Sequence, residues 1–89
     1  MKITVEKPTE AKLDKLGVRS WPIWTKETSK FDWFYDENES CYLLEGEVTV
    51  TTEDGQTVHF GKGDFVVFPE GLGCTWEITK PVRKHYNFG

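Results

Sequence analysis

The chain has little of several things that define common protein classes. It carries two cysteines, Cys41 and Cys74, in 89 residues, too few for the disulfide framework of a small secreted domain. No stretch approaches the roughly 18 consecutive apolar residues of a membrane-crossing helix. The opening Met1-Lys-Ile-Thr-Val-Glu6 is too polar for a secretory leader. The expectation is a cytoplasmic protein with no membrane partner. Positive charge is scarce too. A formal net charge of -4 and a pI near 5.1 argue against a nucleic-acid partner, because displacing counterions from phosphates needs a basic face. The one basic cluster, Lys80 to Lys84, is short and interrupted by Pro81 and Val82, and reads as a solvated edge. Histidine occurs twice, at His59 and His85. Side-chain amides are limited to Asn38, Gln56 and Asn87. With one methionine and 29% charged residues, that composition points to a heat-adapted, thermostable protein.

What the chain does have is aromatic residues, 15% of its length. A chain this short buries roughly 60–65% of its extended surface, so large rings must fill much of one core. The expectation is a single domain over residues 1–89. Alternation of apolar and polar residues predicts strands over 2–6 and over Cys41–Glu45, and the β-favouring residues from Val18 to Tyr35 predict two strands joined by a polar turn over Lys26–Lys30. Further strands are predicted over 47–53, 56–60, 65–68, 74–79 and 82–88. Thr9, Glu10, Leu13, Leu16 and Gly17 predict one short helix with its cap and its stop. Pro22 marks an edge strand or a bend. Asp54-Gly55 predicts a two-residue type I′ hairpin, and Gly46 a chain reversal. Phe65-Val-Val-Phe68 has no polar alternate, so both its faces should be covered. His59 should face solvent. Eight or nine short strands with one helical turn predict an all-β jelly-roll barrel.

The stretch Trp33-Phe-Tyr-Asp-Glu-Asn-Glu39-Ser-Cys-Tyr-Leu-Leu-Glu-Gly46 organises the rest. Trp33 and Tyr35 lie two apart on a strand and share a face, as do Cys74, Trp76 and Ile78, and likewise Lys84 and Tyr86. If these faces line the barrel, they form an aromatic pocket with Glu39 at its mouth. Such a pocket suits a small, partly apolar molecule, or a cationic nitrogen held by ring faces and Glu39. Glu39 has two readings: a carboxylate bonded to the Trp33 or Tyr35 ring groups, or a general acid/base. Cys74 is a nucleophile or a soft ligand in one reading and a small buried core residue in the other. Lys84 is a proton donor or a surface lysine. Tyr86 completes the candidate ligand-binding set of Trp33, Tyr35, Glu39, Cys74, Trp76 and Tyr86.

Glu39 and Gly46 stand in a Glu-x6-Gly spacing, and Gly63, Pro69 and Gly71 in a Gly-x5-Pro-x-Gly spacing. On these motifs residues 30–79 resemble the cupins, small jelly-roll barrels. The tail from Cys74 to Tyr86 is similar to single-domain cupins related to ureidoglycine aminohydrolases and to an ethanolamine-utilisation protein. The resemblance places Trp33, Tyr35 and Cys74 where metal-binding cupins carry histidine, Ile78 at an asparagine position and Glu27 at a glycine position. It thereby implies that no metal cofactor is needed. Any divalent ion would have Glu39 and Cys74 as its ligands, a poor set for Mn or Fe and an incomplete one for Zn. It also implies a small-molecule ligand, with turnover of a small nitrogen compound by an aminohydrolase or isomerase as the first chemistry to consider. The alternative is a non-catalytic ligand sensor or protein-interaction module. The chain would be a monomer, or a homodimer formed by exchange of the Met1–Glu6 strand.

Overall fold

The computed structural model describes residues 2–89. Seven strands form one strongly bent antiparallel sheet. They are β1 (Thr4–Glu6), β2 (Ile23–Lys26), β3 (Ser29–Phe34), β4 (Glu39–Thr52), β5 (Thr57–Gly61), β6 (Phe65–Phe68) and β7 (Gly73–Phe88). Helix α1 (Glu10–Leu16) and a 3-10 turn (Val18–Ser20) lie between β1 and β2. The Thr9 side chain accepts from the Lys12 N–H, and Gly17 closes the helix in the left-handed conformation.

Two long strands, β4 and β7, carry the architecture. The first half of β4 pairs with β6 and with residues 83–88 of β7. Its second half pairs with β5 and with residues 74–80 of β7. β2 and β3 both run along β7, opposite residues 82–85 and 73–78 respectively. One bent sheet thus doubles back on itself as two facing layers, the jelly-roll barrel expected from the sequence. The bend explains why fewer strands are found than the eight or nine expected. Gly46 does not reverse the chain. It sits in a run of register irregularities between Leu43 and Val48 that bends β4 without ending it. Its φ is 114°, and an added Cβ would lie 2.8 Å from the Pro81 carbonyl oxygen and 2.9 Å from Val82. Pro81 lies at the matching bend of β7, where a missing N–H leaves no ladder bond unmade.

The irregularities also decide which residues face in. Along β4 the buried set is Glu39, Cys41 and Leu43 before the bend, then Val48, Val50 and Thr52 after it, so one extra residue has switched parity. On its inner face β7 keeps even parity, burying Cys74, Trp76, Ile78, Val82 and Lys84, while His85 is buried on the outer face against Trp21. These faces meet in the main core with Phe60, Val66, Phe68 and Tyr35. A second cluster covers the outer face of β6, where Phe65 packs with Leu13 and Val18. Helix and sheet therefore bury Phe65 on one side and Val66 and Phe68 on the other, as the unbroken apolar run requires.

The β4–β5 hairpin differs from its expected type. No non-glycine residue among those described has positive φ, so Asp54 does not take the conformation a type I′ turn demands. Instead the Gly55 N–H donates to the Thr52 carbonyl at 3.1 Å, and the Thr52 N–H to Gln56 at 2.8 Å. This is a three-residue loop in which Gly55, at φ 91°, takes the left-handed position. Edge strand β1 pairs antiparallel with β6 of its own chain. Met1, the first residue of the proposed exchange strand, lies outside the described residues. No helix among the described residues is long and apolar enough to cross a membrane.

Candidate functional site

A cleft of about 210 Å³ opens between the two layers. Trp76, on the interior face of β7, forms its centre. Phe31 of β3 stacks on Trp76 at 6.0 Å and 18°, and Trp24 of β2 meets it edge-on at 6.0 Å. Behind it, Phe60 and Phe68 pack at 5.5 and 5.6 Å. Tyr35 lies flat on Phe68 at 4.7 Å, and its hydroxyl accepts the Trp76 indole N–H at 3.1 Å. Burial pushes the Tyr35 phenol far above its ordinary range, with a contribution from the Glu39 charge. The phenol therefore keeps its proton as a potential donor. At the rim, Tyr86 meets Phe88 edge-on at 5.6 Å. Trp33 is 50% exposed and Phe88 44%.

The polar floor is an ion pair. Lys84 Nζ donates to Glu39 Oε2 at 2.5 Å, and each residue is 4% exposed. In the β4–β7 ladder Lys84 faces Leu43, and Glu39 lies two same-face pairs further along, opposite Phe88. The long lysine stem spans that gap over apolar surface. Its ammonium also lies 4.9 Å from the Trp24 ring centre and 4.8 Å from that of Trp76, each contact stabilising the cation by about 0.5–2 kcal/mol. Lys84 is thus not part of a solvated edge. Nor is Glu39 a lone acid bonded to ring groups, because Lys84 occupies the place in which a ligand's cationic nitrogen was expected.

Five of the six ligand-binding residues proposed from sequence line this cleft: Trp33, Tyr35, Glu39, Trp76 and Tyr86; Lys84 lines it with them. Cys74 does not. It is 5% exposed and packs in the main core, at the border of a separate surface hollow lined also by Asp32, Glu53 and Thr75. Burial pushes its thiol up to about 11, which removes the thiolate a nucleophile or soft ligand needs at neutral pH. Cys41 is fully buried, and burial pushes it up to about 12. Three further wall residues, Trp24, Phe31 and Phe88, were not singled out from sequence. The signal was present for two of them. Phe31 shares odd parity with Trp33 and Tyr35, and Phe88 shares even parity with Lys84 and Tyr86.

The cleft's donors do not suit a divalent metal. Glu39 is its one carboxylate, and Lys84 already occupies it. No group of three or more His, Cys, Asp or Glu that could hold a metal occurs among the described residues. The exposed His59 ring bonds the Thr49 hydroxyl at 2.8 Å, and His85 faces outward to the Trp21 carbonyl at 2.9 Å. Glu39 and Cys74 open onto different hollows.

Comparison with known proteins agrees with this architecture. A DUF861 family protein from Thermotoga maritima is 58% identical and superposes with a TM-score of 0.97, over 99% of this chain and 100% of its own. A putative ethanolamine utilisation protein Q from Salmonella typhimurium is 27% identical at a TM-score of 0.67, covering 74% of this chain and 53% of that one. A DUF861 family protein of unknown function from Pseudomonas syringae pv. tomato is 28% identical at a TM-score of 0.68, covering 75% of this chain and 29% of that one. This chain thus spans about half of the Salmonella protein and under a third of the Pseudomonas one. No protein with a curated description matches. The EutQ-like cupin domain profile matches residues 13–86, and the chain belongs to that family.

Proposed function

We propose that the protein binds a small, partly apolar molecule in this cleft, with the Glu39–Lys84 pair as polar anchor. The observation that carries the reading is the pair's place. An ion pair 4% exposed is expensive to bury and is often no more stable than an apolar replacement. Its position on the floor of an open aromatic cleft favours a role in recognition. The cleft of about 210 Å³ equals the liquid share of about seven waters, so the ligand is small, with fewer than about ten non-hydrogen atoms. Its polar end is a carbonyl or carboxylate oxygen, because the cleft offers it N–H groups of Lys84 and the phenolic O–H of Tyr35. An amine is disfavoured, since the Lys84 ammonium already sits between Glu39 and the rings. This narrows the small nitrogen compounds suggested by resemblance to amides and ureides. The resemblance, which would put Trp33, Tyr35 and Cys74 at histidine positions of metal-binding cupins, is consistent with a ligand held without a metal.

Three of the four tryptophans line the cleft, so intrinsic fluorescence reports occupancy. Small carboxylates, amides, ureides and carbonyl compounds should quench or shift the emission saturably and raise the melting temperature, and matched amines should not. Equal responses to amines, or no saturable response to any class, would remove the reading.

A further inference from the structure

We propose that Lys84 is a catalytic residue that condenses with the carbonyl carbon of a small aldehyde or ketone to form an imine. The inference rests on the binding reading above and adds a covalent step to it. Lys84 is the one lysine among those described that is buried, and it lies in an apolar, aromatic surround. A buried lysine whose ammonium is paired with a carboxylate able to take its proton can act as a carbonyl nucleophile. Three groups needed for the chemistry converge there. The nucleophile is Lys84 Nζ. The proton carrier is Glu39, whose Oε2 is 2.5 Å from that nitrogen. A hydrogen-bond donor for the carbonyl oxygen is the Tyr35 hydroxyl, which accepts from Trp76 and keeps its own proton to give.

The step balances without an external acid, oxidant or reductant. Lys84 passes one ammonium proton to Glu39, leaving an amine and a carboxylic acid. The nitrogen lone pair forms a C–N bond to the carbonyl carbon, and the C=O π pair moves to oxygen, which takes the proton from Glu39. The nitrogen returns a proton to Glu39, which then protonates the carbinolamine hydroxyl. The C–O bond breaks, water leaves and an iminium remains. The site ends with the charges it began with, a nitrogen cation against the Glu39 carboxylate. Trp24 and Trp76, at 4.9 and 4.8 Å from the ammonium, flank the iminium as they flanked the ammonium. A pair that merely fixed the fold would not need an open aromatic cleft beside its nitrogen.

The test is reductive trapping. The protein is incubated with benzaldehyde and sodium cyanoborohydride at neutral pH, digested and mapped by mass spectrometry. Tryptophan fluorescence is followed with benzaldehyde alone and, separately, with benzoate. The expected result is one benzyl group per chain on Lys84, formed at least tenfold faster than on any other lysine. Glu39→Gln should slow labelling of Lys84 at least tenfold relative to labelling of the exposed lysines in the same sample. Labelling spread over the exposed lysines, with Lys84 no faster than they are, overturns the proposal. If benzoate still binds in that case, the cleft remains a binding site and only the covalent step is lost. If benzoate fails as well, the binding reading falls with it. The mapping is done on the unaltered protein, so an unstable variant does not block the outcome.

Discussion

Removing one member of the Glu39–Lys84 pair leaves the other charge buried in an aromatic cleft. Both side chains are about 95% buried, at 5 and 6% residual exposure. Solvent therefore screens the contact little, and the weak energies of surface ion pairs do not apply. Breaking a buried pair from one side costs about 3–5 kcal/mol. In Lys84→Met the loss is greatest, because two cation–π contacts vanish with the ion pair. For a domain of this size about 1 kcal/mol moves the melting point by 4–8 °C, so the single variants should melt about 12–40 °C lower. The double variant Glu39→Leu/Lys84→Met replaces both charges with apolar groups of similar size. It should regain most of that loss, or exceed the parent, since such replacements are often neutral or stabilising by about 1–4 kcal/mol. Urea unfolding of the four proteins gives the coupling directly. A coupling of at least about 2 kcal/mol is expected. Single variants that each cost under about 1 kcal/mol, adding without coupling, would refute the account of this pair.

Two further predictions follow from the fold. Gly46→Ala should cost about 3 kcal/mol or more, because it adds a Cβ at 2.8 Å from a backbone oxygen at positive φ. Gly55→Ala, also at positive φ but with nothing within 4 Å, should cost only about 1–2 kcal/mol; equal losses in urea melts would contradict the bend at Gly46. The second concerns alkali. In the unfolded chain the thiols ionise near 9.0, but burial holds Cys41 and Cys74 protonated up to about 12 and 11. The folded state's advantage is complete below pH 9 and is lost as pH rises through 11–12. Urea midpoints should fall between pH 8 and pH 10.5, and less steeply in Cys41→Ala; an unchanged slope in that variant would contradict the assignment.

Local signals in the chain were sufficient for α1 with its Thr9 cap and Gly17 stop, for the alternating strands, and for the two-sided burial of Phe65 to Phe68. They were also sufficient for the aromatic face of Trp33 and Tyr35. They did not show that residues 39–52 and 73–88 are continuous. Gly46 and Pro81 look like breaks, and only their mutual close approach makes them bends. The misplacement of Lys84 has the same cause. With Pro81 read as a strand end, the parity linking Trp76, Ile78 and Val82 to Lys84 was cut, and a lysine beside Arg83 looked solvated. Its partner Glu39 is 45 residues away, and no local pattern joins them. Cys74 shares parity with Trp76 but lies at the end of its strand, beyond the cleft, and sequence alternation carries no information on depth.

The central claim is that ligands bind against Lys84 between the aromatic walls. The most direct test is side-chain NMR of protein labelled at lysine and at the indole nitrogens, titrated with benzoate. The account predicts that the Lys84 ammonium and the Trp24, Trp33 and Trp76 indole signals move together and saturate. Trp21, which packs on Phe65 outside the cleft, should stay still. Saturating shifts at Trp21 and the exposed lysines, with Lys84 and Trp76 unmoved, would contradict it.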